Sequence, residues 1–168
     1  MIFQVIAPRQ FPDIELGRQR VAFLYQSKEA FAMTNRSEWL DQLKTDTGYA
    51  KVAGVELALL DICRYFHEAA GINGAAQAVH DLGKKADTRI LAKAAGAYEN
   101  TAVRRLGYLL ERFGHFRQAS ALRPFADKAK SFKPLDPSAK PLVPELACVN
   151  ERNSDWKLLL NVRVEIDA

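Results

Sequence analysis

The sequence predicts an α+β fold, with a mostly antiparallel sheet packed against about five helices in a single domain over residues 1–168. Three observations carry this prediction. Both ends of the chain alternate apolar and polar residues with a period of two, the pattern of a half-buried strand. The middle, from Val55 to Lys130, carries apolar stripes at helical spacing, bounded by Gly, Asn and Asp. The order is strands, then helices, then strands, which is that of α+β rather than of alternating α/β folds.

In the opening segment, Phe3, Val5 and Ala7 alternate with Gln4 and Ile6. Pro8 to Gly17 reads as a loop or short hairpin connection, because Phe11-Pro12-Asp13 and Leu16-Gly17 are turn chemistry. Arg18 to Gln26 follows as a second strand, with Val21, Phe23 and Tyr25 on one face. Ser37 to Leu43 fits a short helix, and Tyr49 to Ala53 another strand.

The helical middle starts with Val55 to Ala69. Val55, Leu59, Ile62, Cys63 and Phe66 form its stripe, and Gly71 stands at the C-cap position. Leu57 and Leu60 fall off that stripe, so the helix is expected to be buried on two sides. Asn73 is expected to cap a second helix, Gly74 to Leu82, and Asp87 a third, Thr88 to Tyr98. A fourth begins at Asn100 or Thr101, with Val103, Leu106, Leu110 and Phe113 inside and Gly114 as its stop. Gly107 lies within that helix at a cost of ~1 kcal/mol relative to Ala, which implies close approach of a neighbouring element. Gln118 to Lys130 makes a fifth helix, with Pro124 near its first turn or kinking it.

From 131 to 155 the prolines at 134, 137, 141 and 144 mark an extended, loop-rich excursion ending in a turn at Asn150–Asp155. Beyond it, Trp156, Leu158, Leu160, Val162, Val164 and Ile166 share one parity. Lys157, Arg163, Glu165 and Asp167 take the other. This predicts a strand with one buried and one wet face, in an antiparallel sheet with the N-terminal strands.

The totals describe an ordinary globular protein: 168 residues, 48% hydrophobic and 26% charged. No apolar run reaches the length of a bilayer span. The opening has no basic segment followed by a long apolar core, so no signal peptide is read. Two cysteines, Cys63 and Cys148, give no disulfide framework, and a cytoplasmic compartment is expected.

Charge is the most informative functional signal. The chain carries a net charge of +4, but residues 104–133 hold eight Lys or Arg against two acids. The positive surplus is therefore local, as an acidic partner or a phosphate backbone would require. Arg104, Arg105, Tyr108, Arg112, Arg117, Arg123, Lys128 and Lys130 are the candidate contacts with a partner or nucleic acid. Arg104, Arg105 and Arg112 are expected on or beside the outer face of the fourth helix, with Tyr108 between them; for Arg105 the motif context leaves a buried ion pair with Asp61 or Glu111 as the alternative. Arg suits bidentate contact with carboxylate or phosphate. A merely solvated charged face is the competing reading.

Catalytic signals are weak. Cys63 and His67 are four apart on one helical face, a spacing open to a small enzyme or a metal, but no further ligand pair completes a metal site. Glu56 and Asp61 diverge around their helix, and Asp61 is expected to pair with Arg64. Gly71-Ile72-Asn73-Gly74 lacks the ending of a phosphate loop, and no nucleophile elbow is present. The expectation is a non-enzymatic protein without cofactor or metal.

Several segments in order resemble the C-terminal domain of AbiEi-type antitoxins. They are Gln4-Val5-Ile6-Ala7-Pro8-Arg9, Glu56-Leu57-Ala58-Leu59-Leu60-Asp61, Arg105-Leu106-Gly107-Tyr108-Leu109-Leu110-Glu111, Leu135-Asp136-Pro137, Asn153-Ser154-Asp155-Trp156-Lys157-Leu158 and Asn161 through Asp167. The resemblance implies the antitoxin half of a type IV toxin–antitoxin or abortive-infection system. It implies a nucleotidyltransferase-like toxin as partner, counteracted directly or indirectly, and assistance to transcriptional autorepression. Such antitoxins carry an N-terminal winged helix-turn-helix for operator DNA, and this chain opens on a strand instead. DNA is therefore expected as a partner only through the basic helices 101–130.

Overall fold

A computed structural model describes residues 2–68, 70–139 and 151–167. Among these residues are six α-helices and three small sheets, which confirms the α+β class. The chain divides into two compact units, Met1–Lys51 and Val52–Ala168.

In the first unit, β1 (Ile2–Ala7), β2 (Ile14–Leu16) and β3 (Gln19–Tyr25) form a sheet of order β1-β3-β2. β1 runs parallel to β3 and β2 antiparallel to it, so the expectation of an antiparallel arrangement is corrected here to a mixed sheet. A two-residue loop joins β2 to β3, and Gly17 supplies the positive φ of +60° that the turn needs. Asp13 anchors the connection: its carboxylate accepts from Arg20 at 2.6 Å and from the Phe23 N–H at 3.2 Å. Register places Phe3, Val5, Ile14, Leu16, Val21, Phe23 and Tyr25 on one face.

Helix α1 (Lys28–Thr34) starts at Ser27, whose hydroxyl accepts from the Ala30 N–H at 3.2 Å. The helix expected at Ser37–Leu43 is only a single 3₁₀ turn, Ser37–Trp39. The chain then enters a hairpin, β4 (Leu40–Thr45) and β5 (Gly48–Ala53). Asp46 and Thr47 turn it, with Gly48 at φ +141°. Turn chemistry at these three residues outweighs the weak helical pattern before them.

The second unit is built on helices α2 (Val55–Tyr65), α3 (Gly71–Leu82), α4 (Thr88–Ala95), α5 (Asn100–Arg112) and α6 (Phe116–Asp127). Asp87 caps α4 as expected, accepting from the N–H groups of Arg89 and Ile90. Gly71 has the expected left-handed backbone (φ +69°) where the α2 segment ends and α3 begins. Asn73 does not cap α3, because the helix has already begun before it. Pro124 sits in the second half of α6 rather than its first turn. Helix α5 is the axis of the unit: every residue from Ala102 to Leu110 is buried, and α2, α3 and α6 pack around it.

A small sheet of order β6-β8-β7 completes the unit: β6 (Lys133–Pro134), β7 (Glu151–Asn153) and β8 (Leu158–Leu160). It contains none of the N-terminal strands, so the single sheet expected to join both ends is corrected to separate sheets. The long terminal strand is corrected as well. Only Leu158–Leu160 pairs, and Trp156 and Lys157 lie in the turn before it, with Lys157 at φ +50°. The alternation nevertheless holds in burial: Trp156, Leu158 and Val164 are buried while Arg163, Glu165 and Asp167 are exposed. The tail after β8 is held by helix side chains. The N–H groups of Glu165 and Asp167 donate to Asn73 Oδ1 (3.1 Å) and Gln77 Oε1 (3.0 Å) on α3. Period two therefore reports an extended chain lying on helices, and Asn73 serves that tail instead of a cap. Pro141, Pro144 and Cys148 lie outside the described residues.

Candidate functional site

The eight candidate contact residues separate into two groups. Arg104 (3% exposed), Arg105 (9%) and Tyr108 (8%) are buried, so the outer face is corrected for Arg104, and Arg105 takes the buried alternative with carbonyls rather than Asp61 or Glu111 as partners. Arg104 Nη1 donates to the carbonyls of Ser131 (3.1 Å) and Lys157 (2.8 Å). Arg105 donates from Nε to the Leu135 carbonyl at 2.8 Å and from Nη2 to the Pro134 carbonyl at 3.4 Å. Its guanidinium also lies over the Phe66 ring, 5.2 Å from the centroid. Burial lowers the pKa of both guanidinium groups, and for Arg104 the adjacent charge of Arg105 adds to the effect. Both stay protonated at neutral pH, because a guanidinium begins so high.

These arginines supplement backbone pairing: the Lys157 carbonyl also accepts from the Lys133 N–H at 3.1 Å, whereas the carbonyls of Ser131, Pro134 and Leu135 take their donors from the two guanidinium groups. Segment 131–135 is too short a strand to satisfy all its carbonyls in the sheet, and a buried orphan carbonyl costs roughly 1–3 kcal/mol. A guanidinium presents several donors in a fixed fork and can satisfy two such groups at once. α5 is thus buried all round although its sequence is rich in arginine.

Arg112 donates to the Val164 carbonyl at 3.2 Å and to the Tyr108 hydroxyl at 3.5 Å. Arg123 pairs with Asp155 (2.8 Å) and Glu111 (3.5 Å) and lies over the Trp156 ring. Glu111 also accepts the indole N–H of Trp156. Arg117, Lys128 and Lys130 are exposed. Arg117 lies in the first turn of α6 and Lys128 is the residue that caps its C-terminal end, eleven positions on.

The enzyme alternative loses its nucleophile. Cys63 is fully buried, and burial pushes its thiol up to about 12 against the smaller opposing pull of Arg105. A thiol with that pKa supplies no thiolate at neutral pH. His67 turns away to stack on Phe66 and approaches Ser138 at 3.3 Å. Ser138 in turn donates to Asp136 at 2.7 Å. The same ring nitrogen, Nδ1, faces both Ser138 and Asp136 (3.8 Å), whereas the histidine of a hydrolytic triad turns one nitrogen to each. The Ser138 N–H also donates to Asp136, which identifies this group as a turn motif. Among the described residues no group of three His, Cys, Asp or Glu could hold a metal ion.

Sequence reasoning paired Asp61 with Arg64, but the structure gives each a different partner. Asp61 accepts from the Tyr98 hydroxyl at 2.7 Å, and Arg64 pairs with Glu99 at 2.8 Å. Burial raises the Asp61 carboxyl to about 6, although the Tyr98 hydrogen bond and the Arg64 charge pull it down. Tyr98, buried beside that carboxyl, is pushed above its ordinary value. The Tyr98 link was not legible in the sequence, because it joins residues 37 positions apart.

The family model of the AbiEi antitoxin C-terminal domain matches residues 1–112, two thirds of the chain. The chain belongs to the AbiEi antitoxin family. Neither a curated protein nor a solved structure matches it. The AbiEi match takes in the whole first unit and closes at Arg112, the last residue of α5. Helix α6 and the C-terminal sheet lie beyond it, as do the resembling segments at 135–137 and 153–167. Membership makes the protein an antitoxin of a toxin–antitoxin or abortive-infection system, with a toxin as its implied partner. Among the described residues no helix is long and apolar enough to cross a membrane.

Proposed function

We propose that this AbiEi-family protein is the antitoxin of a type IV system, which counteracts a nucleotidyltransferase-like toxin in the cytoplasm without catalysing a reaction. The observation that carries the reading is the family match over residues 1–112. The inert Cys63 thiol supports a non-catalytic role.

The proposed contact surface is made of exposed cations at the two ends of α6, Arg117 in its first turn and Lys128 and Lys130 just past its last. Phe116, 64% exposed, adds an apolar contact beside Arg117. Arg123 sits nearby but is already engaged by two carboxylates. Arg104, Arg105 and Tyr108 act one step back, by holding the C-terminal segment onto α5. The second reading places the same exposed cations on the phosphates of operator DNA, in support of autorepression. It rests on the exposed cations in and just past α6 and on the local surplus of Lys and Arg over residues 104–133.

The test is growth of cells in which the nucleotidyltransferase-like toxin is induced with either the wild-type chain or the triple variant R117E/K128E/K130E. The reading predicts rescue by the wild type and loss of rescue by a variant that melts at the wild-type temperature. Full rescue by the variant removes the proposed surface. Retention of operator DNA at low salt that falls steeply with added salt favours the second reading.

A further inference from the structure

Where α2, the start of α5 and β6 meet, the second unit has an open cavity of about 380 Å³. Arg64, Arg105 and Lys133 line it, with Glu99 the one carboxylate among its walls. Thr101 contributes a hydroxyl, and Pro134 an apolar wall. Glu99 and Asp136 act on Arg105 through space, so the cations are partly offset, but neither carboxylate touches its guanidinium. Arg105 is held by two neutral carbonyls, and among the described residues neither it nor Lys133 has a carboxylate within ion-pair distance. A buried charge gains most from a counter-ion in direct contact, and an anion in the cavity would be the first to touch Arg105. Arg64 does have a partner, Glu99, but that carboxylate side chain is 57% exposed and can rotate into solvent. The first turn of α5 faces the same space through Thr101 and Ala102, and no side chain caps that helix end. Its free N–H groups add positive potential to that of the three cations.

The geometry points to a binding site for a small phosphate-bearing molecule of mononucleotide size. Two guanidinium groups, one of them fixed in place, and one ammonium supply the charge and the kind of donors that a phosphoryl group takes. The volume exceeds what a bare phosphate fills and lies in the range of small-ligand pockets, roughly 300–1,000 Å³. The proline wall offers a flat apolar surface to a ring. This site is distinct from the α6 cations and independent of the toxin, so it is tested without one.

The experiment is isothermal titration calorimetry of the full chain with adenosine 5′-monophosphate, inorganic phosphate and adenosine as probes. The nucleotide binds, inorganic phosphate binds at least about tenfold more weakly, and adenosine gives no measurable heat. K133E and R64Q, both at the cavity rim, each weaken nucleotide binding by about tenfold or more while melting as the wild type does. R117E, on α6, leaves binding unchanged. Absence of binding by both phosphorylated probes at millimolar concentration overturns the proposal. So does nucleotide binding that K133E and R64Q leave intact. Equal affinity for phosphate and nucleotide overturns the assignment of a nucleotide-sized ligand.

Discussion

Replacing Gly107 by alanine probes the closest packing contact in the second unit. A Cβ at this position would lie 2.0 Å from Cζ3 and 2.2 Å from Cη2 of Trp156, and 2.6 Å from Cε3. Carbon atoms in contact sit about 3.5–4.0 Å apart, so the indole or the helix must move by about 1.5 Å. The indole has little freedom to do so. It is 1% exposed, its N–H is given to Glu111, and Arg123 covers its face. Overpacking of this kind costs about 1–3 kcal/mol, and expelling a buried tryptophan about 3–5. Alanine's better helix propensity returns only about 1 kcal/mol. Gly107→Ala is therefore expected to lose about 2 kcal/mol net. Urea unfolding followed by tryptophan fluorescence in a Trp39→Phe background reads this directly, since Trp156 is then the sole indole. The midpoint should fall with an unchanged slope, and the native emission should shift to the red as the ring becomes wetter. A variant more stable than its parent by about 1 kcal/mol, the behaviour of an unobstructed helix glycine, refutes the packing argument.

Arg104→Ala strips a charged donor from the carbonyls of Ser131 and Lys157, and should cost about 3 kcal/mol or more in the same unfolding assay, whereas Arg117→Ala should stay within about 0.5 kcal/mol. Asp61→Asn should stabilise the protein at pH 7 by up to about 3 kcal/mol, since Asn still accepts from Tyr98 and carries no charge to bury. The sign follows from a carboxyl raised to about 6 when folded: the wild type is favoured by its bound proton below about pH 4 and loses that advantage between about pH 4 and 6. The benefit of Asn should accordingly vanish near pH 4, and a benefit independent of pH would show that burial of the charge is not its cause. Cys63, in a Cys148→Ser background, should resist Ellman's reagent in the native protein and react on unfolding; rapid native reaction would contradict its burial.

The helices were legible in the sequence because local signals specify them. Asp87 before Thr88 and the apolar stripe of α5 needed no tertiary knowledge, and Gly107 announced the close approach of a neighbour that is now seen to be Trp156. Helix α1 carried a signal that was missed, the Ser27 cap ahead of Lys28. The sheet arrangement was not legible. Parity at Trp156–Ile166 told which residues face inward, but an extended chain gives the same parity whether its N–H groups meet a strand or the amides of Asn73 and Gln77. The candidate surface was misread for a related reason. Charge in a helix suggests solvent, yet Arg104 and Arg105 face a segment whose carbonyls at Ser131, Pro134 and Leu135 take donors from them, and no local pattern records that need. Arg117, Lys128 and Lys130 are exposed as expected, because nothing of that kind faces them.

Family membership and the proposed role meet in one measurement: colony formation by cells that express an adjacent nucleotidyltransferase-like toxin, with this chain supplied from a second promoter. The account predicts plating restored close to that of toxin-free cells. Plating no better than with an empty vector, while the folded chain accumulates in the same cells, contradicts it.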